Sequence, residues 1–176
     1  MASAVDIYRF SRLESENDIK NFDCGDQDLN DFFIYKSLLF TQNLLANTLI
    51  LNDTDNTVAF CSLLNDKISD IETDKNLWRK IKKDIPHRKH FRNYPAIKIG
   101  RLAVSIIYQG SGIGSEFLST IKQLIINNNP LSAARFLTVD AYPEAIQFYI
   151  KNGFRPLLNE YRSRTMPMYF DLITLI

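Results

Sequence analysis

Three of the chain's six glycines fall at alternate positions, Gly110, Gly112 and Gly114, inside the stretch RLAVSIIYQGSGIGSEFL that runs from Arg101 to Leu118. Alternating glycines leave successive peptide N–H groups unshielded and let the backbone reach positive φ, so several N–H groups can converge on one anion. A helix that starts directly after them adds its N-terminal dipole and its unpaired amides. Such a strand-to-helix turn suits a pyrophosphate, although a tight turn needing only small side chains would use the same residues. Elimination narrows the ligand. A P-loop requires Lys and then Ser or Thr after its last glycine, whereas Gly114 is followed by Ser115 and Glu116, which disfavours nucleotide hydrolysis. A dinucleotide-binding fingerprint needs G-x-G-x-x-G on the first strand; here the third glycine arrives one residue early, and Asp140 stands 26 residues past Gly114.

Other reactive side chains point less sharply. Cys24 and Cys61 are the only cysteines and form no CxxC pair, so both read as buried free thiols rather than a disulfide or a nucleophile. His87 and His90 sit in the basic run HRKHFRN and suit a solvated or anion-contacting role better than a base or a metal ligand. No metal site is expected. Between Arg79 and Arg101 stand nine of the 21 Lys and Arg residues and one of the 20 acids, Asp84, on a chain whose formal net charge is +1. That local basicity is either a solvated face or a docking surface for a polyanion, with Arg79, Lys80, Lys82, Lys83, Arg88, Lys89 and Arg92 as its cations. The near-neutral total argues against broad polyanion binding.

The elements that must hold these residues follow from period and punctuation. A β-like segment near 7–13 precedes a helix opening at Asp26 or Gln27 and carrying Leu29, Phe32, Phe33 and Phe40. NTLILND and TVAFCSLL flank the polar NDTDN turn and predict a hairpin. KNLWRKIKKD reads as a short basic helix and AIKIGRLAV as a strand. Ile113, Phe117, Leu118, Ile121, Leu124 and Ile125 have helical spacing. RFLTVDA is a buried-type strand, PEAIQFYIKNGF a helix with Pro143 in its first turn and Gly153 at its C-terminal cap, and MPMYFDLITLI a closing strand. The composition is 45% hydrophobic with no low-complexity tract, and the mass of 20.4 kDa suits one domain, 1–176, of mixed α/β class. Neither a membrane span nor a secretion signal is indicated, so a cytoplasmic protein is expected.

RLAV followed by QGSGIG, with Gln109, Gly112 and Gly114 in the order Gln/Arg-x-x-Gly-x-Gly/Ala, resembles the acetyl-CoA motif of the GNAT acyltransferase superfamily. VDAYPEAIQFYIKNGF resembles that superfamily's next strand and helix, with Phe-Tyr-x-x-x-Gly-Phe. The resemblance is strongest over Lys98 to Leu158 and extends over the whole chain. It implies a splayed central β-sheet flanked by helices, with CoA entering between the IGRLAV and FLTVDA strands. It further implies the pyrophosphate on the turn amides of Gln109, Gly110, Ser111, Gly112, Ile113, Gly114 and Ser115. Pantetheine would lie against Leu102, Ala103 and Val104, one of whose amides would polarise the thioester carbonyl. Tyr149 matches the family's tyrosine acid, protonated at neutral pH and able to donate as the CoA sulfur leaves.

No general base stands out; Glu72, Asp140 and Glu144 are candidates for relaying a proton through water. An α-amine of pKa about 8 is roughly 10% neutral at pH 7, whereas a lysine amine of pKa about 10.4 is only about 0.04% neutral. A weak base therefore favours α-amino acceptors. FDCGDQDLNDFF, the NTLILND/TVAFCSLL hairpin and the basic stretch before IGRLAV are similar to GNAT toxins that acetylate the α-amino group of aminoacyl-tRNA. That likeness implies a small antitoxin partner and a homodimer. Two other readings stay open: a GNAT acting on a small-molecule, protein or peptide amine, and a CoA-binding module without catalysis.

Overall fold

Asp26 starts the first helix as its N-cap, accepting the Leu29 N–H at 3.0 Å. The α-helical path of α1 (Gln27–Asp31) widens into a π turn at Phe32–Lys36 before α2 (Ser37–Gln42) resumes. The sequence predicts one uninterrupted helix here, and the difference has a physical reason. Phe32 and Phe33 are consecutive, yet both are buried, at 1% and 0% exposure. The wide turn, closed by the Ser37 N–H on the Phe32 carbonyl, keeps both rings in the core. Ser37 Oγ donates to the Phe33 carbonyl at 2.5 Å. Phe33 stacks on Phe60 with ring centroids 4.7 Å apart, and Phe32 meets Phe40 edge-on at 5.3 Å.

The structure is a computed structural model that describes residues 8–86, 91–127, 132–160 and 164–176. They group into two units, Met1–Leu64 with Ile99–Ile121, and Asn65–Lys98 with Lys122–Ile176. In the first unit, β1 (Arg9–Arg12) pairs antiparallel with β2 (Asn47–Asn52), which pairs antiparallel with β3 (Thr57–Ser69). The hairpin tip is closed by Asp53, whose Oδ1 accepts the N–H groups of Asp55 and Asn56 at 2.8 and 2.6 Å. The core of this unit gathers Leu13, Phe32, Phe33, Ile50, Phe60 and Ala103. Burying each aromatic ring contributes about 2–3 kcal/mol.

In the second unit, α3 (Lys75–Asp84) starts at the N-cap Asp74 and buries Trp78 and Ile81. These pack with Ile68, Tyr94, Ala96, Phe136, Leu157 and Tyr169. β5 (Phe136–Ala141) pairs antiparallel with β7 (Met166–Asp171), and the bidentate Arg135–Asp171 pair, at 2.6 and 2.9 Å, closes the end of their ladder. A 3-10 turn at Pro143–Ala145 leads into α5 (Ile146–Lys151). The two-residue strand β6 (Arg155–Pro156) has too little length for a sequence signal, and the last expected strand ends at Asp171, with a 3-10 turn following it.

β3, β4 (Asn93–Val104) and the long helix α4 (Ile113–Asn127) each contribute residues to both units. Among the described residues the strand order is β1-β2-β3-β4-β5-β7-β6, a mixed α/β sheet flanked by helices. No described helix is long and apolar enough to cross a membrane.

Candidate active site

In the first unit, Leu102, Ala103 and Val104 end β4, with Ala103 buried and its neighbours partly exposed. The chain then makes a 3-10 turn at Ile106–Tyr108 and reaches Gln109, Gly110, Ser111 and Gly112 before α4 begins at Ile113. Gly110 and Gly112 take φ of +77° and +88°, and a Cβ at either would meet nothing within 4 Å. Glycine is needed there for conformation, and the space above the turn is open. Gly114 differs from the alternating expectation, because it already lies in the first turn of α4.

The amides of this segment divide sharply. Gln109 N–H donates to the Ile106 carbonyl at 3.2 Å and Ser115 N–H to the Gly112 carbonyl at 3.0 Å. Those of Gly110, Ser111, Gly112, Ile113 and Gly114 donate to no acceptor among the described residues. Five free amides at the start of a 15-residue helix form a cradle that fits a pyrophosphate.

The turn is held from behind. Gln109 Nε2 donates to the Cys24 carbonyl at 3.0 Å and to the Val104 carbonyl at 2.9 Å, and Ile106 N–H donates to the Asp23 carbonyl at 2.8 Å. Tyr108 donates its hydroxyl to Asp53 Oδ2 on the hairpin tip. That bond pulls the Asp53 carboxyl down to about 2 and pushes the Tyr108 phenol up to about 12. None of the residues behind Gln109 carries a sequence signal, because Tyr108 and Asp53 are 55 positions apart. A groove of about 900 Å³ runs beside the turn, lined among others by Phe22, Asp23, Ile34, Asn56, Ile106 and Ile107.

Tyr149 belongs to the second unit, in the middle of α5, 5% exposed, with ring contacts to Phe148 and Phe154 at 5.2 Å each. Its helix ends as the sequence predicts: Gly153 takes φ +84°, and Phe154 N–H returns to the Tyr149 carbonyl at 3.0 Å. Lys122 of α4 supports this end by donating to the Asn152 carbonyl at 2.6 Å, its ammonium 3.8 Å from the Phe170 ring centroid. Burial holds the Lys122 amine down at about 8.

Two candidate relay carboxylates of the second unit line one small polar pocket of about 180 Å³, where Glu72 and Asp140 are joined by Asp66, Lys98 and Thr138. Asp140 is ion-paired with Lys98, and Thr138 Oγ1 donates to Asp66 at 2.5 Å. Asp66 is a residue that the sequence reading missed; its signal is the polar Asn65–Asp66–Lys67 interruption within an otherwise apolar strand. Glu144 lies apart, exposed in the turn before α5. Cys61 is buried with its thiol pushed up by desolvation, whereas Cys24 is only partly covered, against the expectation of two buried thiols.

Of the expected cations, Arg79, Lys80, Lys82 and Lys83 lie on α3, where Arg79, Lys80 and Lys83 are exposed and Lys82, four residues after the buried Trp78, is partly covered. No carboxylate of the described residues pairs with them. Arg92 is exposed just before β4. Arg88 and Lys89, with His87 and His90, fall outside the described residues.

Residues 88–169 match the family model of the acetyltransferase (GNAT) domain. The fold is similar, over nearly its full length, to solved bacterial toxins. AtaT complexed with acetyl-methionyl-tRNAfMet is 20% identical, with a TM-score of 0.76 over 95% of this chain and 97% of that one. A tyrosine-to-phenylalanine mutant of AtaT, bound to the C-terminus of the antitoxin AtaR and acetyl-CoA, is 19% identical, with a TM-score of 0.73 over 97% and 96%. A tyrosine-to-phenylalanine mutant of KacT is 18% identical, with a TM-score of 0.76 over 95% and 99%.

Proposed function

We propose that this chain is a GNAT toxin that acetylates the α-amino group of aminoacyl-tRNA in the cytoplasm, a reading supported by the match of residues 88–169 to the acetyltransferase (GNAT) domain model and by the likeness of its fold to AtaT and KacT. Both units serve one catalytic domain, and a small antitoxin neutralises it, as the antitoxin-bound relative suggests.

Acetyl-CoA supplies an activated acetyl thioester; the chain binds, orients and moves protons. The five free amides of Gly110 to Gly114 take the pyrophosphate, with Gln109 fixing the turn's shape. Leu102, Ala103 and Val104 carry the pantetheine, and a backbone amide among them stabilises the carbonyl oxygen as negative charge develops. A neutral amine forms the new C–N bond as the C–S bond breaks. Tyr149 gives its phenolic proton to the leaving sulfur and regains one, through water, from the nitrogen that has become an amide. No strong base is required, since an α-amine is roughly 10% neutral at pH 7.

The observation that carries the acceptor is the α3 face, where Arg79, Lys80, Lys82 and Lys83 stand without carboxylate partners. Unpaired cations on one helix suit an RNA backbone. The test is transfer of radiolabelled acetyl to aminoacyl-tRNA beside a panel of polyamines and peptides, with wild type and Tyr149→Phe. Label on tRNA that falls in the variant and fades steeply with salt is the expected result. Label only on a small amine or peptide replaces the acceptor, and CoA binding with no label anywhere replaces catalysis with a binding role.

A further inference from the structure

Arg101 is the one residue of the RLAV stretch whose side chain is charged, and it sits in β4 immediately before Leu102. Its guanidinium lies over the Phe32 ring, Cζ 3.8 Å from the centroid. Phe32 opens the π turn and is 1% exposed, so the arginine plane covers a core ring at the surface. Arg101 is itself partly buried. Among the described residues it has neither a carboxylate nor a hydrogen-bond acceptor.

That combination is unusual on energetic grounds. A partly desolvated cation loses hydration, and stacking on one aromatic face replaces only part of it. Among the described residues three other partly buried cations are satisfied, since Arg135 holds Asp171 with two bonds, Lys98 pairs with Asp140, and Lys20 donates to the carbonyls of Asp53 and Thr54, while the partly buried Lys82 carries a point charge and no planar fork. Arg101 alone among these keeps its planar fork of donors free, the group best matched to a phosphate. Phe32 fixes the plane of that fork in advance, so little side-chain entropy remains to be lost on binding.

We propose that Arg101 is a phosphate-reading residue of the acceptor site, gripping the backbone phosphate next to the aminoacylated 3′ end of the RNA. The position explains the assignment. Along an extended strand each residue advances about 3.3 Å, so Arg101 is within roughly 10 Å of the Leu102–Val104 amides that take the carbonyl oxygen. An anion held there places the amine of the same nucleotide's ester within reach of that oxygen. Tyr35, three residues beyond Phe32 and 69% exposed, offers a ring on which a base of the same strand can stack. This assignment rests on the tRNA reading given above and adds to it the contact that sets the position of the amine.

Arg101→Gln and Arg101→Lys test it by steady-state kinetics on two acceptors, aminoacyl-tRNA and an amino-acid methyl ester that lacks phosphate. For Arg101→Gln the expected result is a KM for aminoacyl-tRNA raised about tenfold and a log–log salt slope reduced by about one unit. Turnover of the ester and the KM for acetyl-CoA stay at wild-type values, and Arg101→Lys recovers part of the loss. An unchanged salt slope, an equal loss on both acceptors, or a raised KM for acetyl-CoA overturns the assignment. Should wild type transfer nothing to tRNA, the functional reading fails by itself. Direct binding of a hairpin RNA with a single-stranded CCA end then decides Arg101: weaker binding by Arg101→Gln sustains the phosphate contact, and equal binding removes it.

Discussion

Tyr108 donates its hydroxyl to Asp53, tying the residue that precedes Gln109 to the tip of the β2–β3 hairpin. Asp53 also accepts two backbone N–H groups of its own turn, so one carboxylate closes the hairpin and steadies the glycine turn. Tyr108→Phe should raise the KM for acetyl-CoA several-fold while leaving kcat within twofold, as expected when a binding element loosens without touching the reacting atoms. Equal loss in kcat and kcat/KM would place Tyr108 in the chemistry instead.

The same pair gives a pH signature. Asp53 titrates at about 2 when folded against an ordinary 3.8, so its contribution is fully present above about pH 4 and is lost as pH falls toward 2. Tyr108, raised to about 12, contributes below about pH 10 and loses that contribution as pH rises through 12. Because the pair is only partly buried and close to solvent, its worth is at most about 1 kcal/mol. Urea melts of wild type and Asp53→Asn should differ by that amount at pH 6 and converge near pH 2.

Lys122 behaves in the opposite sense from a satisfied surface lysine. Burial lowers its amine from 10.5 to about 8, so the folded state binds fewer protons than the unfolded one between those values, and stability rises with pH across that window. Lys122→Met should flatten the rise between pH 8 and 10.5 while leaving the profile below pH 7 parallel to wild type. A wild-type profile that is already flat there would show that the Asn152 carbonyl and the Phe170 ring fully replace water around the ammonium.

Glycine substitutions separate strain from collision. Gly112→Ala puts a Cβ into open space at positive φ and should cost about 1–2 kcal/mol of stability. Gly153→Ala faces the same backbone penalty plus a Cβ 2.9 Å from Phe170 Cε2, so its cost should be larger by about 1 kcal/mol or more. Denaturant midpoints rank the two, and acetyl-CoA affinity should fall in the first beyond what its stability loss explains.

Replacing Arg79, Lys80, Lys82 and Lys83 by Gln should leave the melting temperature nearly unchanged, because these side chains have no carboxylate partners in the fold. The affinity for aminoacyl-tRNA should fall, with the salt slope shallower by roughly 0.7 to 0.9 for each phosphate contact removed. Titration at several salt concentrations measures both.

The glycine turn, the helix after it and the cap at Gly153 were legible because each depends on residues a few positions apart. Helical spacing located Ile113 to Ile125, and the basic composition of KNLWRKIKKD located the cationic helix. What the sequence hid lies in long-range pairs. Asp53 reads as one more acid in a polar turn, and only folding brings Tyr108 to it. Arg101 reads as part of a basic run, and its stacking on Phe32 depends on a ring 69 positions away. The π turn was hidden for a related reason: its pattern of apolar residues fits an ordinary helix, and the wide turn is chosen by where two adjacent rings find space.

That turn also makes the segment sensitive to chain length. A π turn contains one residue more than an α turn, and each residue rotates a helix by about 100°. Winding Phe32–Lys36 as ordinary α-helix with no residue removed would turn α2, with Leu38 and Phe40, about a quarter of the way around their axis. Deleting one residue there would instead restore an unbroken α-helix in register but lose the extra position that lets Phe32 and Phe33 both reach the core. Loops elsewhere can gain or lose a residue at little cost, whereas here the count of residues is itself part of the fit between the helix and its core.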